Sequence, residues 1–461
     1  MREKKLLIFG LILVFALVSV AQAVEMKLPG IEKKTLDNGL EVYIIEQHEV
    51  PVVAIRLVIP GGSIYDNEET AGLSNLTAGL LRKGTTTRTA DEVSEEIDFV
   101  GGSIGASAGA DAINANCTVL SKHFDVGLKL LADIVINPVF DEEEVNKLKD
   151  QIVGAIMQGK SDPTTIRNLQ FDKYMFGNHP YGLPASGTEE TMLMLTGDDV
   201  KDFYNRYVVP NNAFLLIVGD VKAADAIKTV SKEFGKWKAG TVPELNLPDY
   251  PKIEGHKIIL IDKSDATQSY IALGHHGLTR HSEDAFKVRV MNYILGGGGF
   301  ASRLLQVVRS EMGLTYDIGS GFDFNKYTGA FYVKTFTKNE STGEAIRAIF
   351  DELNRIREEP VEQKELDDTR SFYTGYIPLQ FETPANIATW LETIYLYDLG
   401  EDYYNRYLKG VEETTMDDVQ QMAQKYIDPE NMLIVVVGKA DEVKTQLEEF
   451  GEVTVIPLIE L

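Results

Sequence analysis

The chain has 461 residues, with 45 Lys and Arg against 70 Asp and Glu, a formal net charge of −25. That balance argues against a nucleic-acid partner, since a phosphate backbone is held by a basic surface. With 44% hydrophobic and 25% charged residues the composition is that of an ordinary globular protein. The single cysteine, Cys117, has no partner for an internal disulfide, and the alternating run Ala115-Asn116-Cys117-Thr118-Val119 marks it as a small buried residue.

At the N-terminus Arg2, Lys4 and Lys5 precede an apolar run, residues 6–20, closed by Ala21-Gln22-Ala23. This is the charge, hydrophobic core and small-residue cleavage site of a secretory signal peptide over residues 1–23, and the run is shorter than the roughly 20 residues a spanning helix needs. Removing three basic residues and one acidic leaves 42 against 69, a net of −27. The expectation is a periplasmic or secreted protein with no stable membrane insertion. A mature chain of this length exceeds one compact core and suits two domains.

In chain order, residues 40–45 after the turn pair Asn38-Gly39 read as a strand by their β-branched content, and 102–120 as strand-forming. Residues 71–82, 89–100, 124–136 and 141–158 read as helices by apolar spacing and capping-type residues. Residues 238–252 contain Pro243, Pro248 and Pro251 with little apolar periodicity and read as an exposed linker.

The two flanking halves echo one another at a spacing of 216 to 219 residues. The run 51–62 is matched by 267–277, and Pro210-Asn211-Asn212-Ala213-Phe214-Leu215-Leu216-Ile217-Val218-Gly219 by Pro429-Glu430-Asn431-Met432-Leu433-Ile434-Val435-Val436-Val437-Gly438. In both, a Tyr-bearing helix precedes the Pro, and a helix follows, over 223–234 and 440–450. Because strands and helices mix without strict alternation, the expected fold is α+β. It has two tandem, similar domains, 24–240 and 256–461 joined by 241–255, each a mostly antiparallel sheet with helices on one face.

Glu68-Glu69-Thr70-Ala71-Gly72-Leu73, followed by a short helix and Arg82-Lys83-Gly84-Thr85, resembles the catalytic stretch of pitrilysin-type (M16) zinc metallopeptidases. There, Ala-Gly-Leu-x leads into HxxEH. Two His at i and i+4 share a helix face and bind zinc, and the Glu takes a proton from the metal-bound water. Here those positions are Asn75, Ala78 and Gly79. The resemblance places the third ligand, a Glu, within 151–156, where Gly154 and Ala155 offer no donor. The expectation is therefore no metal and no cofactor in this chain. His275, His276 and His281 form no substitute ligand set, and His275 and His276 are expected in surface or edge packing. The acidic run Asp141-Glu142-Glu143-Glu144 is explained by the dipole of the helix it opens.

In the second half Gly296-Gly297-Gly298-Gly299-Phe300-Ala301-Ser302-Arg303-Leu304 leads through a helix to Arg309-Ser310-Glu311-Met312-Gly313-Leu314-Thr315-Tyr316. The glycine run lacks the GxxxxGK[ST] pattern of a phosphate loop. The block resembles the C-terminal-domain signature of the same family, which implies that Arg309 and Tyr316 are a substrate-binding pair. Gly313 as a helix stop puts Arg309 in the last turn and Tyr316 on the following strand, and Arg303 reads as structural. No GxSxG nucleophile motif suggests an autonomous hydrolase. The resemblance implies a non-catalytic, substrate-binding subunit whose HxxEH-bearing partner carries the zinc in a heterodimer around a peptide. The alternative is a peptide-binding or scaffold homodimer of the same fold.

Overall fold

The computed structural model describes residues 30–458; the expected signal peptide lies outside the described residues. Twelve strands are described: β1 (Ile31–Thr35), β2 (Glu41–Glu46), β3 (Val52–Pro60), β4 (Ser103–Ala108), β5 (Ala112–Leu120), β6 (Phe214–Gly219), β7 (His256–Asp262), β8 (Gln268–Gly277), β9 (Ile318–Phe324), β10 (Gly329–Lys338), β11 (Met432–Gly438) and β12 (Val453–Pro457). They form two six-stranded sheets of order β1-β2-β6-β3-β5-β4 and β12-β7-β11-β8-β10-β9. Five strands correspond one to one. The parallel pairs β2·β6 and β7·β11 are matched, and so are the antiparallel pairs that follow them. Only the outer strand differs: β1 enters from the N-terminal side antiparallel to β2, whereas β12 returns from the C-terminal side parallel to β7.

The central strands are apolar throughout, not alternating. β6 (FLLIVG) and β11 (MLIVVVG) are buried at every position, the pattern of strands covered on both faces. One face carries helices of the same half, including Leu73–Leu80, Phe124–Ile136 and Ala223–Phe234 in the first and Thr342–Glu358 and Met416–Tyr426 in the second. The other face is covered by exchange. Helix Pro163–Phe176 of the first half packs on β8 and β11, its Ile166, Phe171 and Met175 meeting Ile259, Ala272 and Val435. Helix Pro384–Leu396 of the second half packs on β3 and β6, its Ile387 and Leu391 joining Tyr43, Val58, Phe214 and Leu216.

Polar contacts lock the exchange. Arg56, a charge in the middle of β3, faces Glu392 with Nη1 2.5 Å from Oε2, and Asn114 Nδ2 donates to the other oxygen at 2.8 Å. Asp111 accepts from the Tyr181 hydroxyl at 2.6 Å and from Tyr397 at 3.0 Å, and Tyr43 stacks on Tyr395 at 3.8 Å.

The helices expected over 71–82, 89–100, 124–136 and 141–158 are Leu73–Leu80, Ala90–Phe99, Phe124–Ile136 and Glu142–Gly159. Their ends fall within the uncertainty of fraying termini. Threonine caps repeat with the halves: Thr196 and Thr415 each accept from the backbone three residues on, where Asp199 and Asp418 return the bond. Cys117 is buried. The surface or edge setting expected for His275 is corrected: β8 lies between β11 and β10. His275 is buried, with Nδ1 against the His276 carbonyl and Nε2 accepting from Asp428 N–H. Among the described residues no helix is long and apolar enough to cross a membrane.

Candidate functional site

The helix Leu73–Leu80 begins at Gly72, whose φ of +91° is a left-handed conformation that glycine adopts without strain. Its first N–H groups are met by Asp66, which accepts from Gly72 N at 3.2 Å, Ser74 N at 3.2 Å and Ser74 Oγ at 2.9 Å. Burial pushes the Asp66 carboxyl up to about 7 in spite of these bonds. Asp66 was not singled out in the sequence, because an N-capping carboxylate is sought next to the helix, not six residues before it.

Asn75 and Gly79 lie at i and i+4 on this helix, both half-buried, with Ala78 fully buried. The space that a side chain at 79 would need is taken. A β-carbon built on Gly79 would stand 2.9 Å from Cδ2 of Leu148, which comes from helix Glu142–Gly159. A leucine of helix Glu142–Gly159 thus fills the space in front of position 79. Further along it, Gly154 is exposed and a β-carbon there would meet nothing within 4 Å. Among the described residues no group of three or more His, Cys, Asp or Glu could hold a metal ion. The donor set at these positions does not fit zinc.

Beside this helix a groove of about 1890 Å³ is lined by Ala71, Ala155, Ile156, Tyr181 and, from the second half, Lys257 and Asp323. Arg309 and Tyr316 do not line it.

The second constellation is built on wide helical turns. Gly298 N bonds the Tyr293 carbonyl and Met312 N the Val307 carbonyl, each five residues back; such π-type turns recur at functional positions. Glycine is required at 298, where a β-carbon would lie 2.7 Å from the Tyr293 carbonyl and 2.8 Å from its ring. Gly313, φ +67°, ends the segment that carries Arg309. The guanidinium of Arg309 lies 4.6 Å from the Tyr316 ring centroid and 4.7 Å from that of Phe300. Phe300 and Tyr316 are each 72% exposed. Among the described residues the Arg309 side chain has neither a hydrogen bond nor an ion pair.

Tyr316 is not on a strand, as the sequence suggested. Thr315 Oγ1 donates to the Asp317 carbonyl at 2.9 Å and accepts Asp317 N–H at 3.1 Å, so the chain turns locally and β9 begins only at Ile318. Phe300 stood in the quoted motif without a role, and only the fold shows that it faces Arg309. Arg303 is buried, its Nε and Nη2 each 2.7 Å from an oxygen of Glu365.

Residues 41–189 match the model described as Insulinase (Peptidase family M16), and residues 194–373 the one described as Peptidase M16 inactive domain. The chain belongs to the M16 peptidase family. This M16 chain is 28% identical over 354 residues to the "uncharacterized zinc protease YmxG" of Bacillus subtilis, covering 77% of this chain and 85% of the relative. It is 24% identical to the "non-peptidase homolog YmxG" of Helicobacter pylori over 85% and 88% of the two chains. Among solved structures, the M16 inactive domain from Pseudomonas fluorescens superposes with a TM-score of 0.83 at 25% identity, covering 89% of this chain and 98% of that one. A Helicobacter pylori protease superposes at 0.82 and 20%, covering 89% and 100%. Relatives thus carry both protease and non-peptidase names, and one of the matched models is described as an inactive domain.

Proposed function

We propose that this M16 chain is a non-catalytic, substrate-binding subunit of a heteromeric zinc peptidase acting outside the cytoplasm, which offers Arg309 and Tyr316 to peptide held at the HxxEH site of a partner subunit. The observation that carries this reading is the setting of Arg309: a guanidinium without a carboxylate partner, flanked by two exposed aromatic rings, in a chain rich in carboxylates. A guanidinium offers five N–H donors and a phenol one, which suits the carbonyl oxygens of a peptide and the oxyanion formed when one is attacked. Loss of one such donor costs on the order of 10²- to 10³-fold in rate.

Co-expression with an HxxEH-bearing M16 subunit tests the proposal. The pair should hydrolyse a peptide that neither chain cleaves alone, and Arg309→Ala should lower turnover by about 10²-fold. Unchanged turnover would remove the substrate-binding role.

The groove of about 1890 Å³ within this chain favours a second reading, a peptide-binding homodimer without hydrolysis. Self-association and peptide binding by the purified chain, with no gain on adding an HxxEH subunit, would select it.

A further inference from the structure

Arg280 follows β8 and Arg289 lies on helix Ala285–Asn292. Both grip Phe324, the last residue of β9. Arg280 Nε donates to its carbonyl at 2.9 Å, and the Arg289 guanidinium stands 4.1 Å from its ring centroid. Arg280 also lies 4.5 Å from the Tyr397 ring and Arg289 5.8 Å from that of Tyr407. Neither guanidinium has a carboxylate within 4 Å among the described residues, although the chain holds 70 Asp and Glu. Asp111, a carboxylate whose charge acts on Arg280, is already bound by the hydroxyls of Tyr181 and Tyr397.

Burial, with the Arg289 charge adding to it, makes the cationic form of Arg280 harder to hold. Arg289 Nε is shut off from solvent with no acceptor. Both residues are only half-buried as a whole, so solvent reaches part of each side chain. Two mutually repelling cations in a partly dry site are costly unless an anion completes them. Of ten guanidinium N–H groups, one has an acceptor among the described residues.

We propose that Arg280 and Arg289 form an oxyanion-binding recess whose ligand is a carboxylate of a bound peptide, at its C-terminus or on an acidic side chain. The planar fork of a guanidinium matches a carboxylate, and the rings of Phe324, Tyr397 and Tyr407 give an apolar side chain next to that carboxylate a wall to lie against. A singly charged carboxylate is also repelled less than a phosphate dianion by a chain of net charge −25. The inference rests on the reading that this chain holds peptides, and on no partner subunit.

The test uses the purified full chain alone, with N-acetylphenylalanine and its amide as probes in calorimetric or NMR titrations. The acid should bind at least tenfold tighter than the amide. Arg289→Gln and Arg280→Gln should each bring that ratio to within about twofold. Arg289→Lys, which keeps the charge without the fork, should retain an intermediate preference. Acid and amide binding alike, or a preference that survives both Gln variants, would overturn the recess. Inorganic phosphate displacing the acid at lower concentration than acetate does would overturn the carboxylate assignment. Because the probes are smaller than a peptide and no hydrolysis is read, failure here is distinct from failure of the Arg309 role.

Discussion

Leu148 stands in front of Gly79, its Cδ2 2.9 Å from where a β-carbon would be. The space in front of position 79 is therefore filled by the packing of two helices. Restoring the motif by Asn75→His, Ala78→Glu and Gly79→His together should yield no stoichiometric zinc by metal analysis. It should also destabilise the protein by roughly 1–3 kcal/mol through overpacking. Gly79→Ala should be near neutral, since the end of one leucine side chain can shift and alanine favours the helix.

Glu392 joins the halves by accepting from both Arg56 and Asn114. With both charged side chains largely covered, Glu392→Ala strands a cation in the middle of β3. Loss of one partner of a buried pair costs roughly 3–5 kcal/mol. Denaturant unfolding should show a loss near the lower end of that range, because a fifth of the Arg56 side chain is exposed.

Asp66 supplies a pH signature. Its carboxyl titrates at about 7 when folded, held up by burial, against an ordinary value of 3.8. Between these values the folded state keeps a proton that the unfolded chain has lost, so this residue makes stability fall as pH rises from about 4 to 7. Midpoints measured at pH 5 and pH 8 should differ in the direction of lower stability at pH 8, by more in the parent than in Asp66→Asn.

Arg309→Ala should leave the melting temperature unchanged within about 0.5 kcal/mol of stability, because Phe300 and Tyr316 remain exposed either way and the contact is a surface cation–π pair. Calorimetry on the isolated chain checks this. A large loss would reassign the pair to the fold and not to peptide.

Arg303→Ala should behave oppositely. It leaves Glu365 without its bidentate partner in a covered site, so thermal unfolding should move down by several degrees.

Much of this was written in the residues. The identities at 75, 78, 79 and 154 carry the expectation of no zinc by chemistry alone, since Ala and Gly have no donor side chain and Asn is a poor zinc ligand. The repeat of β3 and β6 in β8 and β11 was equally legible, because strand and helix patterns are local and duplicate with the chain. The fully apolar runs of β6 and β11 implied covered faces without saying what covers them. Only the tertiary structure decided that each sheet is closed by a helix of the other half, that Leu148 fills the space before Gly79, that Phe300 meets Arg309, and that Arg280 and Arg289 share Phe324. Those relations join residues far apart in the sequence or separated by irregular turns, where no periodicity carries direction, and they exist only once burial of the two sheets has brought the chain together.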